Sequence, residues 1–140
     1  MTNRKLSEIV SGQSLLALAE QTSVQEACRF MWQARKGSVL VVDQGQQLCG
    51  IFTGRDAVRI LAEGKSAETT TLVHAMTPNP TTAAPAVRAI DALRQMNDGG
   101  FRHLPVVENG RILGVVSRND FRGMEIDVVD EDDHLAECLR

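Results

Sequence analysis

The chain has 140 residues, 43% of them hydrophobic, and a formal net charge of −3. This length allows one compact domain or two small intertwined repeats, because a half of about 65 residues buries too little surface to be stable alone. Residues 125–140 carry seven acids and one base, whereas the rest carries 11 acids and 14 bases. Such a mildly basic body suits an anionic small ligand, but it is not basic enough to predict a nucleic-acid-binding protein.

The first half of the chain predicts a strand, a helix, two further strands and a second helix. Ser23 and Glu26 form a capping-box pattern at the start of the first helix, and Lys36-Gly37 ends it. A turn at residues 43–46 joins the second and third strands. The predicted elements are an apolar segment from residue 6, a strand at 14–18, the helix from 24, strands at 38–42 and 48–52, a helix at 55–63 and a polar linker at 65–71.

Two large apolar side chains lie off the main apolar stripe of the first helix. They are Phe30 and Trp32, and they are covered either by another part of the same chain or by a second subunit. Their counterparts in the second half, Gln95 and Asn97, are polar. This asymmetry favours a contact surface on one side of the molecule.

The second half repeats the same order of elements. Gly99-Gly100 ends its first helix, and Asn109-Gly110 is a strong signal for a two-residue hairpin turn. The predicted elements are a turn-rich segment at 76–80, a strand at 81–83, a helix at 86–97, strands at 104–107 and 112–116, and a helix at 118–124.

The acidic residues 125–140 follow the second half. We expect them to form a solvent-exposed tail that the fold does not need, because clustered acids repel one another. Docking of Ile126, Val128 and Val129 on the body would contradict this expectation.

One seven-residue stretch, here called the signature, occurs at residues 50–56 and again at 114–120. Both copies read glycine, two apolar residues, a hydroxyl residue, two variable residues and aspartate, and the flanking segments repeat as well. The chain is therefore an internal duplication. We expect a mixed α/β (α+β) fold of two βαββα repeats, at residues 6–64 and 72–124.

Each signature joins the end of a strand to the start of a helix, and this position supports two interpretations. In the first, the hydroxyl residue and the aspartate only cap the helix. In the second they bind a ligand, since a helix N-terminus favours anions, a carboxylate can accept from two adjacent ribose hydroxyls, and arginine suits phosphate. The residues concerned are Thr53, Arg55 and Asp56 in the first copy and Ser117, Arg118 and Asp120 in the second.

The duplicated pattern over residues 6–124 resembles the cystathionine beta-synthase (CBS) domain pair, or Bateman module, of stand-alone bacterial proteins. The duplicated signature after a strand hairpin is specific in this context. The other residues that carry the resemblance are Met76-Thr77-Pro78, Ala92 and Met96 on one helix, His103-Leu104-Pro105-Val106-Val107, and Asn109-Gly110.

The resemblance implies two repeats packed through their sheets with pseudo-two-fold symmetry, and two related clefts between them. Such clefts often bind adenosine-containing ligands, namely AMP, ADP, ATP, NAD or S-adenosylmethionine, and no further cofactor is required. The family's ribose-binding aspartates resemble Asp56 and Asp120, and their hydroxyl partners resemble Thr53 and Ser117. Further contacts implied by the family lie at Thr81, Thr82, Arg102, His103 and Pro105.

The first copy departs from the family pattern. It has Leu40 where the second copy has Pro105, and Gly37-Ser38 where the second has Arg102-His103. We therefore favour the second signature as the ligand site. Which cleft Arg102 and His103 serve stays open, as does the choice between His103 as a phosphate contact and as a partly exposed side chain without that role.

The resemblance implies a ligand-sensing regulatory module that forms a homodimer and acts on a protein partner that the sequence does not identify. The alternative is a structural adaptor that binds no nucleotide. We expect no catalysis, because no nucleophile–base pair is visible.

Three scattered cysteines without a signal peptide favour the cytoplasm, and no metal-ligand cluster is apparent. No apolar run approaches the ~20 residues that span a membrane, so we expect no membrane contact.

Overall fold

The computed structural model describes residues 3–123 and 125–130, which form two compact units of mixed α/β structure. The first unit comprises residues 16–80, and the second comprises residues 3–15 together with the described residues from 81 onward. The predicted mixed fold class is confirmed, and the order strand, helix, strand, strand, helix is complete in the first unit.

The first unit is built on a four-stranded sheet in the order β1-β2-β3-β4. β1 is parallel to β2, and the other neighbours are antiparallel. Its core joins this sheet to three helices, with Phe52, Ile60 and Leu72 fully buried. The elements are β1 (Ala17–Ala19), α2 (Val24–Ala34), β2 (Ser38–Val42), β3 (Leu48–Thr53), α3 (Gly54–Ala62), α4 (Leu72–Ala75) and β4 (Thr77–Pro78).

The second unit is built on an antiparallel hairpin, to which Ala83 adds a single parallel bridge at Val106. Its elements are α1 (Leu6–Val10), α5 (Ala89–Gly99), β5 (His103–Glu108), β6 (Arg111–Ser117) and a 3-10 turn (Arg118–Asp120). The strand expected at 81–83 is therefore reduced to one bridge. The helix expected at 86–97 begins three residues later, after Arg88 in extended conformation.

The segment that leads into each sequence repeat packs in the compact unit of the other repeat. α1 belongs to the second unit, where the N–H of Leu6 donates to the Val87 carbonyl (2.9 Å). α4 and β4 belong to the first unit, where the N–H of Leu72 donates to the Thr22 carbonyl (2.8 Å). The expected sequence repeats are residues 6–64 and 72–124. The compact units have different boundaries, because these two segments are exchanged between them. The expected turn at 76–80 contains β4.

Both hairpins match the sequence pattern. The loop between the paired residues Val42 and Leu48 is one residue longer than the loop between Val107 and Ile112, as the offset between the repeats predicts. Asn109-Gly110 has positive φ at both positions (52° and 77°), which a tight hairpin turn of this kind requires.

The end of the second unit differs from the prediction. The helix expected at 118–124 is a single 3-10 turn, because Phe121 adopts an extended backbone and buries its ring. Residues 125–130 are helical, and Glu125 and Val129 are both 0% exposed. The expected solvent-exposed tail is therefore wrong for residues 125–130. The rest of that tail, residues 131–140, lies outside the described residues.

The first glycine of each signature makes room for a neighbouring segment that packs against its strand. A Cβ atom at Gly50 would collide with the Sδ atom of Met76, and one at Gly114 would lie 2.7 Å from the Cβ of Val10. Beside β6, the Gln13 amide donates to the Val115 carbonyl and accepts from the Val115 N–H, both at 2.8 Å. This side chain thus takes the position along β6 that β4 takes along β3.

Candidate functional site

The first signature forms a capping box at the start of α3. The N–H and the hydroxyl of Thr53 donate to Oδ2 of Asp56 at 2.9 and 3.2 Å, and the Asp56 N–H donates back to the Thr53 hydroxyl at 3.3 Å. Nη2 of Arg59 lies 3.6 Å from Oδ1 of Asp56. Asp56 is only 9% exposed. Oδ2 of Asp56 is therefore hydrogen-bonded within the capping box, and Oδ1 forms an ion pair with Arg59.

The second signature uses only one oxygen of its aspartate in the same way. The N–H of Ser117 donates to Oδ2 of Asp120 at 2.7 Å, and the Ser117 hydroxyl does so at 3.3 Å. Asp120 is half-buried, and its Oδ1 accepts no hydrogen bond and joins no ion pair among the described residues. A capping box is thus present at both signatures, and Asp120 keeps one carboxylate oxygen that has no partner among the described residues.

The basic pair Arg102-His103 adjoins the second signature. His103 pairs with Ser117 across the hairpin, and the Arg118 N–H donates to the Arg102 carbonyl at 3.0 Å. Burial lowers the pKa of His103, and the charge of Arg102 lowers it further against the opposing effect of Asp120. His103 therefore favours the neutral imidazole, which can donate one hydrogen bond and accept another.

Arg118 is oriented by a residue that sequence reasoning did not assign to the site. Its Nη1 atom donates to Oδ1 of Asn97 near the end of α5. No local pattern marks Asn97 for this role, because it differs from its neighbours only as the polar counterpart of Trp32. The contact orients the guanidinium beside the signature, and it uses only one of the five N–H donors of that group.

Thr81 and Thr82 lie at the side of β5. Both are exposed, and they precede Ala83, whose N–H donates to the Pro105 carbonyl at 3.0 Å. Pro105 itself is buried in β5. The predicted site residues of the second unit are therefore held on neighbouring backbone segments. They are Thr81, Thr82, Arg102, His103, Pro105, Ser117, Arg118 and Asp120.

The remaining predicted site residues belong to the first unit. Thr53 and Asp56 form the capping box, and Arg55 is exposed on the first turn of α3. Sequence reasoning also missed Arg4, whose Nη2 atom donates to the Asp120 carbonyl at 3.0 Å. No local pattern could reveal this contact, since 116 positions separate the two residues.

Within residues 3–123 and 125–130, no group of three or more histidine, cysteine or carboxylate side chains is arranged to hold a metal ion. Over the same described ranges, none of the helices has the length and apolar character needed to cross a membrane.

The sequence model of the CBS domain family matches residues 6–63 and 72–127. The chain belongs to the CBS domain family. The CBS domain-containing protein CBSCBSPB2 of Arabidopsis thaliana is 43% identical over 102 residues, which are 72% of this chain and 19% of that protein. The chain thus spans about a fifth of the length of this curated relative.

Two solved structures share the fold. The CBS domain protein PAE2072 from Pyrobaculum aerophilum, complexed with AMP, has a TM-score of 0.82 at 20% identity, over 91% of this chain and 99% of that one. The CBS domain pair of protein MJ0100, in complex with 5′-methylthioadenosine and S-adenosyl-L-methionine, has a TM-score of 0.77 at 24% identity, over 84% and 92%. At these identities the similarity concerns the fold alone.

Proposed function

We propose that this CBS protein is a regulatory module that binds an adenosine-containing nucleotide at its second signature. The observation that carries the proposal is the state of Asp120, whose Oδ2 is held by Ser117 while its Oδ1 has no partner among the described residues. An ionised carboxylate held in this way can accept from the adjacent hydroxyls of a ribose. Asp120 is therefore the proposed sugar contact.

The surroundings of Asp120 suit the rest of a nucleotide. Arg102 is exposed and Arg118 is oriented by Asn97, and guanidinium groups match phosphate geometry. The exposed hydroxyls of Thr81 and Thr82 supply further polar contacts. The ligands of the two structural neighbours, AMP in one and 5′-methylthioadenosine with S-adenosyl-L-methionine in the other, are all adenosine compounds.

The first signature is less suited to this role. Asp56 is nearly buried, and Arg59 lies beside the oxygen that Thr53 does not use. A ribose at Asp56 would have to displace that arginine. We therefore place the ligand at the second signature, and we use Asp56 as the internal control.

A regulatory effect requires that the nucleotide bind two states of the protein with different affinities. The module would then transmit nucleotide levels to a partner or to a further domain. We propose binding rather than catalysis, because the two signature aspartates lie in separate compact units, as suits sugar contacts rather than an acid–base couple.

The test is calorimetry with AMP, ATP and NAD on the wild type, Asp120→Asn and Asp56→Asn. Loss of charge-assisted hydrogen bonds, at about 1.5–3 kcal/mol, should weaken binding by Asp120→Asn roughly tenfold to a hundredfold. Asp56→Asn should bind as the wild type does. Undiminished binding by Asp120→Asn would refute the ribose contact, and a wild type that binds no adenosine compound would support the adaptor alternative.

We also propose that a second copy of the chain covers an apolar surface of the first unit. Trp32 on α2 is 85% exposed, so no described part of the chain covers it, and Val58 and Leu61 on α3 are exposed as well. A groove of about 850 Å³ lies beside Trp32 and is lined in part by Met31 and Ala57. An exposed apolar surface of this kind is typical of a protein interface.

A further inference from the structure

The buried carboxylate of Glu125 is paired with an arginine from the other end of the chain. Its Oε2 accepts from Nε of Arg4 at 3.1 Å, and its Oε1 accepts from Nη2 of Arg4 at 2.6 Å and from the Arg122 N–H at 2.7 Å. Burial raises the pKa of Glu125, but these hydrogen bonds and the charges of Arg4 and Arg122 outweigh burial and leave it below its ordinary value. The pair is therefore ionised and bidentate at neutral pH.

The same arginine also holds the backbone of the second signature. Nη2 of Arg4 donates to the carbonyl of Asp120 at 3.0 Å, at the last residue of the 3-10 turn. The turn's own closing bond, from the Phe121 N–H to the Arg118 carbonyl, is long at 3.4 Å. Arg4 is thus a substantial restraint on the end of this turn, while Ser117 restrains the carboxylate.

The first signature has no equivalent of this restraint among the residues that the structure describes. Asp56 lies in the nine-residue helix α3, whose regular hydrogen bonds hold its backbone. The position equivalent to Arg4 is Thr70, because the Arg4 carbonyl accepts from Ala89 as the Thr70 carbonyl accepts from Val24. A threonine there cannot reach and pair with a carboxylate as arginine does.

We propose that Arg4, itself held by Glu125, is a positioning residue for Asp120, so that docking of residues 3–5 and of residues 125–130 sets the affinity of the ligand site. The inference rests on the proposed nucleotide binding at Asp120. Arg4 touches no ligand, and it acts by fixing the turn from which the aspartate reaches the sugar.

The test uses Arg4→Lys in the full chain. Lysine keeps the positive charge beside Glu125, which preserves folding, but its single ammonium cannot reproduce the fork that joins Glu125 to the Asp120 carbonyl. Arg88→Lys is the matched control, because Arg88 also binds the N-terminal segment, donating to the Asn3 carbonyl at 2.8 Å, without contacting the turn. Binding of AMP is measured by calorimetry well below the melting temperature.

We expect Arg4→Lys to weaken AMP binding about fivefold or more, within the usual range of coupling between sites, and Arg88→Lys to leave it unchanged. In an Asp120→Asn background the same Arg4→Lys change should cost little, because its effect passes through Asp120. Equal affinities for Arg4→Lys and wild type, equal losses in both lysine variants, or additive losses with Asp120→Asn would each overturn the proposal.

Hydrogen exchange in the ligand-free protein separates this inference from the proposed function. Amides of residues 117–121 should exchange faster in Arg4→Lys than in Arg88→Lys. If the wild type binds none of AMP, ATP and NAD, faster exchange in Arg4→Lys would still show that Arg4 restrains the turn, while the proposed nucleotide site would be refuted. Unchanged exchange together with normal AMP binding by Arg4→Lys would overturn the positioning role and leave the nucleotide site intact.

Discussion

Val129→Ala should destabilise the protein, although Val129 lies in the acidic segment that the sequence assigns to a solvent-exposed tail. The side chain is 0% exposed and packs in the core of the second unit with Leu6 and Phe121. Removing two buried carbons costs about 1.6 kcal/mol in transfer free energy, and the cavity left behind raises the loss to about 2–3 kcal/mol. For a chain of this size we expect the melting temperature to fall by roughly 5–10 °C.

Val128→Ala is the matched control for this change. Val128 is the preceding residue of the same helical segment, and its side chain is 39% exposed. Both substitutions gain the same small helix propensity of alanine over valine, so their difference isolates the buried contact. Exposed substitutions of this kind usually change stability by less than about 0.5 kcal/mol.

Urea unfolding, followed by far-UV circular dichroism and by Trp32 fluorescence, measures the free energy of unfolding of each variant. Two probes are needed because Trp32 reports on the first unit and Val129 lies in the second. If the two variants lose the same free energy of unfolding, within about 0.5 kcal/mol, residues 125–130 do not dock on the second unit and the expectation of a dispensable tail would hold.

Three further substitutions test a close backbone contact, a histidine and the proposed interface. Gly114→Ala should cost about 1–3 kcal/mol by urea unfolding, because its Cβ would lie 2.6 Å from Oε1 of Gln13, whereas Gly45→Ala, which meets nothing closer than 3.4 Å, should be nearly neutral. The pKa of His103 is lowered in the fold below its ordinary 6.5, so the unfolded chain binds more protons and the free energy of unfolding should fall as the pH drops below about 6.5. His103→Gln should flatten this pH dependence. An unchanged pH dependence would show that His103 is not its source. Trp32→Ala should shift sedimentation from dimer toward monomer at micromolar concentration, and a dimer that persists unchanged would remove Trp32 from the interface.

Features that depend on neighbouring residues follow from the local sequence. The duplicated signature predicts a helix start after a buried strand, and Thr53 caps α3 as that local pattern requires. Asn109-Gly110 predicts a tight hairpin, since few other residue pairs adopt positive φ at both positions. The repeat itself predicts that both halves share one plan of strands and helices, and the CBS family match agrees with it.

The pairings between distant segments come from the fold and not from any local pattern. Three such pairings join residues roughly a hundred positions apart. They are the packing of α1 in the second unit, the contact of the Gln13 side chain with β6, and the Arg4–Glu125 ion pair. Hydrophobic periodicity shows which face of a segment is apolar, but it does not show which other segment that face will contact. Glu125 is the clearest example. An acid in an acidic stretch is expected to be solvent-exposed, but Glu125 is buried because it pairs with Arg4, which lies 121 positions away in the sequence.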